Sequence, residues 1–117
     1  MDRKILEKRL MDFSNNVMIV CREAKFDVFN LHLAKQVVRS SSSSALKYAE
    51  AQSAESRADF AHKISIVLKE LRECYVTLQL IERSVISVNN EKMKSLLKEN
   101  KELIAIFQQS VRTVLGR

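Results

Sequence analysis

Proline is absent from this 117-residue chain, and Gly116 is its only glycine. Tight β-turns and two-residue hairpins depend on those residue types, so an all-β or α/β fold is disfavoured. A phosphate-binding loop is excluded for the same reason, because it needs glycines where backbone amides close on the phosphates. No run approaches the roughly 18 apolar residues that a membrane-spanning helix requires. The opening residues, MDRKILEKRLMDF, lack the continuous apolar stretch of a signal peptide. Asp2, Glu7 and Asp12 interrupt the basic run that a transit peptide would need. Cysteine is scarce as well: Cys21 and Cys74 both fall on apolar helical positions, which suits small reduced core residues. With no export signal and no disulfide framework, the chain is expected in the cytoplasm.

Catalytic constellations are also missing. His32 and His62 are isolated, with no cysteine or carboxylate at a metal-ligand spacing around them. A di-iron bundle needs Glu-x-x-His on two helices. Here Phe29 and Asp59 stand three residues before the histidines, so Asp59-x-x-His62 is a partial match on one helix only. Ser-His-Asp chemistry needs a strained nucleophile turn and oxyanion donors, and neither is suggested. The chain is therefore expected to hold no metal or cofactor and not to be an enzyme.

What remains is rich in alanine, leucine, lysine and glutamate, which favours helix. Four amphipathic segments are predicted, over about residues 3–25, 28–52, 56–88 and 91–115 of one domain spanning residues 1–117. Each carries an apolar seam at alternating steps of four and three. The first seam is Leu6, Leu10, Phe13, Val17, Val20 and Ala24. The second is Leu31, Ala34, Val38, Ser41, Ala45 and Tyr48. The third, the longest, is Phe60, Ile64, Val67, Leu71, Cys74, Leu78, Ile81, Val85 and Val88. The fourth is Met93, Leu97, Asn100, Ile104, Phe107, Val111 and Val114. Asp27 or Asn30 can cap the second helix, Ser56 with Asp59 the third, and asparagine at 89–90 the fourth; Gly116 ends the last. Short connections force antiparallel neighbours, so the expected fold is all-α, an antiparallel up-down-up-down four-helix bundle.

Five consecutive serines, Ser40 to Ser44, interrupt the second segment. By composition they resemble a linker. They contain no glycine, however, and lie between Val37-Val38 and Ala45-Leu46 at positions that keep the helical period. Five serines cost an isolated helix about 2 kcal/mol relative to alanine. Packing can offset that, since small side chains admit a neighbouring helix closely.

The formal net charge is +6, a mild push toward anionic partners. Lys94, Lys98, Lys101 and Arg112 repeat along one flank of the fourth segment. Together with Lys35, Arg39 and Lys47 of the second, they are candidates for neutralising RNA or DNA phosphates. A solubilising surface is the plainer reading of the same lysines. A mixed stripe on the third segment includes Lys63, Ile66, Glu70, Glu73 and Thr77. It faces a neighbouring helix, a second subunit or solvent. Arg39, Ser43, Lys47 and Glu50 share the outward face of the second segment, close to a neighbouring subunit or ligand.

The stretches RSSSSSALKYAEA and SRADFAHKISIVLKELREC carry a resemblance. They are similar to the bacterial four-helix-bundle proteins first noticed in intervening sequences of 23S ribosomal RNA genes, sometimes labelled S23 ribosomal proteins. The matching positions are Arg39, Ser40, Ser43, Tyr48, Glu50, Ala51, Ser56, Arg57, Asp59, Phe60, Lys63, Lys69, Glu70 and Glu73, within about residues 36–81. The resemblance implies a bundle that assembles into ring-like homo-oligomers, commonly pentamers, with a role around RNA. A related branch, the accessory variability proteins of diversity-generating retroelements, uses a basic pentameric barrel to bind nucleic acid and a reverse transcriptase. On that analogy Arg39, Ser43, Glu50, Lys63, Ile66, Glu70, Glu73 and Thr77 are candidates for an oligomer interface. Departures from the family pattern are Lys47 for asparagine, Thr77 for tryptophan and Ser44 for a small aliphatic residue.

Overall fold

The structure, a computed structural model, describes residues 2–116 as four helices: α1 (Arg3–Glu23), α2 (Leu31–Ala51), α3 (Arg57–Ser84) and α4 (Asn90–Leu115). They pack as an up-down-up-down bundle of 46 × 23 × 23 Å, its long dimension close to the length of the 28-residue α3. The interface of α2 with α3 is the most extensive and that of α1 with α4 the thinnest of the four neighbouring pairs, and the diagonal pairs meet only through side chains in the core.

The core follows the seams of α1 and α3 closely. Leu6, Leu10, Phe13, Val17 and Val20 of α1 meet Ile64, Val67, Leu71, Cys74, Leu78 and Ile81 of α3, all buried. At the far end Tyr48 packs edge-on against Phe107, ring centroids 5.3 Å apart. Burial raises the Tyr48 hydroxyl above its ordinary pKa, opposed by its contact with Gln52.

In α2 the buried face differs from the predicted seam. Val37, Ser40, Ser41, Ser44, Tyr48 and Ala51 are buried, whereas Leu31 is exposed and Ala34, Val38 and Ala45 are half-buried. Three serines therefore lie in the core in place of more apolar neighbours. Their hydroxyls have partners. Ser44 donates to the carbonyl of Ser41 at 2.7 Å, Ser41 meets Ser14 of α1 at 3.3 Å, and Ser40 donates to Glu73 at 3.4 Å. A satisfied hydroxyl loses little on burial, and its small size lets α3 and α1 come close. The run is helical throughout. In α4, Leu96 and Leu103 are buried more deeply than Leu97 and Ile104, because the buried arc turns toward α1.

Three boundaries also differ from the periodic pattern. Asp27 Oδ1 accepts from the amides of Phe29 and Asn30 at 2.8 and 3.2 Å, an Asx turn that holds residues 27–30 outside α2. Asn30 occupies the N-cap position but makes no cap bond. Its Oδ1 accepts from the amide of Asp27, and its Nδ2 donates to Ser84 O at 2.8 Å. Helix α1 ends at Glu23 and α3 at Ser84 because the chain beyond each turns extended: Lys25 and Ser87 form an antiparallel bridge. The apolar rhythm of Val85 and Val88 thus belongs to a loop packed on the core, not to α3.

The other ends are capped as the sequence suggests. Ser56 Oγ accepts from the amide of Asp59 at 3.0 Å, and Asn89 Oδ1 from that of Lys92 at 3.0 Å. Gly116 closes α4 with φ +72°, a left-handed conformation open to glycine at no steric cost.

Candidate nucleic-acid interface

The seven basic candidates fall on two opposite helices. Lys35, Arg39 and Lys47 belong to α2, and Lys94, Lys98, Lys101 and Arg112 to α4, its diagonal partner across the core.

The α2 set is largely neutralised. Arg39 reaches across to α3, where its guanidinium lies 3.2 Å from both Glu70 Oε2 and Glu73 Oε2. Lys47 pairs with Glu50 at 3.0 Å, and Lys63 of α3 approaches the same carboxylate at 3.8 Å. The hydrogen bond from Lys47 is the main cause holding the Glu50 carboxyl below its ordinary range. Only Lys35 in this set has no ion pair among the described residues.

These same pairs account for most of the stripe that the sequence offers as a subunit contact. Arg39, Glu50, Lys63, Glu70 and Glu73 form a charge ladder between α2 and α3 within one chain. Glu70 and Thr77 are buried, and Thr77 Oγ1 donates to Glu73 O at 2.7 Å. Ser43 and Ile66 are half-buried beside the ladder. Beyond it, on the outer side of α3, Val76 and Leu80 are exposed. A groove of about 630 Å³ passes there between Gln36, Lys69, Arg72, Glu73 and Val76.

The α4 set is different. Lys94, Lys98, Lys101 and Arg112 are all exposed. Among the described residues none of them has a carboxylate partner, although Glu91 shares their stripe at its start; Glu99 and Glu102 turn toward α1. Glu99 takes the guanidinium of Arg9 on α1, assisted by Glu102 at 3.6 Å, and the Glu99 hydrogen bond is the chief reason the Arg9 pKa is raised. Lys92, off the ridge, pairs with Glu23 at 2.8 Å.

The tertiary structure adds a second basic row that the sequence reading leaves out. The outward stripe of α3 runs Ala58, His62, Ser65, Lys69, Arg72, Val76, Leu80 and Arg83, at steps of four and three, and carries no carboxylate. Lys69, Arg72 and Val76 of this stripe line the groove with Gln36 of α2 and Glu73, and Tyr75 next to it reaches the α4 ridge. The register is fixed by Asn100 Nδ2, which donates to Leu71 O at 3.0 Å, and by Lys101 Nζ, 5.9 Å from the ring centre of Tyr75. Lys69, Arg72 and Arg83, like Lys94, Lys98, Lys101 and Arg112 of α4, have no ion pair among the described residues. The spacing of Lys69 and Arg72 is visible in the sequence; which neighbours they meet depends on the packing.

Among the described residues no three His, Cys, Asp or Glu side chains stand close enough to share a metal ion. Among the same residues, no helix is long and apolar enough to cross a membrane.

Comparison with known proteins gives a family and similar solved structures. The family model described as 23S rRNA-intervening sequence protein matches residues 4–109. A crystal structure of a protein of unknown function from the S23 ribosomal protein family of Bacteroides thetaiotaomicron superposes with a TM-score of 0.82 at 26 % identity. The match covers 96 % of this chain and 99 % of that one. No curated protein matches.

Proposed function

From the premise that this chain belongs to the 23S rRNA-intervening sequence protein family, we propose that it is a non-enzymatic accessory protein that binds the backbone of RNA or DNA. The observation that supports this is a set of exposed cations with no ion pair among the described residues: Lys94, Lys98, Lys101 and Arg112 along α4, and Lys69, Arg72 and Arg83 on the outward stripe of α3. Unpaired cations on a shared surface can exchange solvent counterions for phosphates, whereas paired ones must first break their own contacts. Lysine predominates, so contacts position the polymer and read little sequence.

A single bundle offers a short row of charges. In this reading the protein acts as a homo-oligomer, a pentamer by analogy with the family, in which copies of the row multiply around an axis. The exposed Val76 and Leu80 beside the α2–α3 ladder support that side as the subunit contact. The ladder supports a second reading too, a ring that recruits a protein such as a reverse transcriptase and has no nucleic-acid role.

Light scattering of the purified protein with and without bulk RNA tests assembly and binding together. If six or seven cations are engaged, log affinity falls with log salt at a slope of about −4 to −6. Replacing Lys94, Lys98 and Lys101 by glutamate abolishes binding while leaving the fold intact, since all three are exposed. Unchanged binding by that variant would overturn the assignment. A stable oligomer with no RNA binding at low salt would favour the protein-recruiting ring.

A further inference from the structure

We infer that Tyr75 is a stacking site for an unpaired base, so that the α3–α4 face takes single-stranded segments in preference to duplex. The inference rests on the proposed binding face and names its ligand class.

Tyr75 sits on the side of α3 that faces α4, in the furrow between the two basic rows. It is half-buried, and Lys101 Nζ lies 5.9 Å from its ring centre. Arg72, one turn before it on α3, and Lys98, one turn before Lys101 on α4, flank the pair. Among the described residues the Tyr75 hydroxyl has no hydrogen-bond partner, and it is not among the buried unsatisfied atoms, so it reaches solvent. An aromatic ring is thus framed by cations that a sugar-phosphate chain would engage.

This juxtaposition distinguishes strand classes. A duplex stacks its bases on each other and presents phosphates alone, for which lysines suffice. A single strand also presents free base faces, and a ring amid phosphate-binding cations accepts one of them. In the free protein Lys101 occupies the ring by a cation–π contact. A phosphate that draws Lys101 outward uncovers the ring for the adjoining base, so the two contacts form together.

The composition supplies a direct readout. The chain has no tryptophan and two tyrosines, and Tyr48 is buried at 7 % exposure. Tyrosine emission that responds to added strand therefore reports Tyr75. A short oligouridylate should quench it, and Tyr75→Phe should remove the quench while keeping the affinity. Tyr75→Ala should weaken oligouridylate binding about tenfold, within the range measured for one base–aromatic stack. It should leave binding to a fully paired RNA duplex unchanged. Circular dichroism of both variants checks that the bundle is retained. Equal oligouridylate affinity for wild type and Tyr75→Ala, or no quench on binding, overturns the stacking site while the basic face stands. Failure of wild type to bind either probe overturns both.

Discussion

Asn100 of α4 donates its side-chain amide to the backbone carbonyl of Leu71 in α3, while its own Oδ1, fully buried, has no partner among the described residues. One half of the side chain ties α3 to α4 and the other half is a desolvated acceptor. Removing an unpaired buried acceptor recovers roughly 1–2 kcal/mol. Asn100→Leu, of similar volume, is expected to raise the melting temperature by about 5 °C. It should also loosen the register between α3 and α4, since an apolar residue has no directional bond to lose on sliding. Thermal unfolding followed by circular dichroism checks the first effect; a lowered melting temperature would show that the bond to Leu71 outweighs the orphan oxygen.

Arg39 spans two carboxylates of unequal exposure. The Glu70 side chain is 8 % exposed and that of Glu73 is 35 %. Arg39→Ala strands a buried carboxylate and is expected to cost about 1–3 kcal/mol, read from the urea midpoint. Lys8→Ala removes an open i,i+4 pair with Asp12 and should cost at most about 0.5 kcal/mol. Arg39→Ala should also leave RNA binding unchanged at temperatures where it stays folded. A fall in RNA affinity comparable to that of the α4 charge reversals would place Arg39 in the binding face instead.

Burial raises both thiols, Cys21 to about 11 from an ordinary 9.0, and Cys74 still further. The folded state therefore holds these protons more tightly than the unfolded chain. The sign follows: stability from this source is complete below pH 9, declines as pH rises from there, and for Cys21 is lost by about pH 11. Denaturation midpoints at stepped alkaline pH should fall from pH 9 upward, and the fall should be shallower in Cys21→Ala. A thiol reagent at pH 8 should label the buried Cys74 only after denaturant is added, and the half-buried Cys21 slowly before it.

Ser56 accepts the amide of Asp59, and Asp59 Oδ2 in turn accepts the amide of Glu55 at 3.3 Å. The reciprocal arrangement is a capping box displaced by one residue. Ser56→Ala should cost about 1 kcal/mol in a urea titration, and Ser56→Asp should retain most of the stability.

The helices, their antiparallel order and five of the eight helix termini were legible in the sequence because apolar period and cap chemistry are local. The buried face of α2 was not. Apolarity points to Ala34, Val38 and Ala45, but the packing instead buries Ser40 and Ser44, whose hydroxyls find carbonyl and carboxylate acceptors. Hydropathy cannot register that a polar group will be satisfied. The ends of α1 and α3 escaped for a similar reason, since the Lys25–Ser87 bridge joins residues far apart in sequence. On the candidate site, the α4 ridge was readable as a spacing. The neutralisation of Arg39 and Lys47, and the arrival of Tyr75 beside Lys101, depend on which helix lies next to which.

The Lys25–Ser87 bridge also makes the two ends of the bundle unequal. Lys25 N donates to Ser87 O at 2.9 Å and Ile86 N to Lys25 O at 3.1 Å, with Asn30 holding Ser84 alongside. Both turns at that end are thereby fastened to each other. The opposite end has the α2–α3 connection and the contact of Arg57 with Val114 O. Local opening is therefore expected to start at the Ser56 end and to reach the bridged end last. In deuterated solvent the amides of Lys25 and Ile86, although in loops, should exchange late, and those around residues 52–57 early.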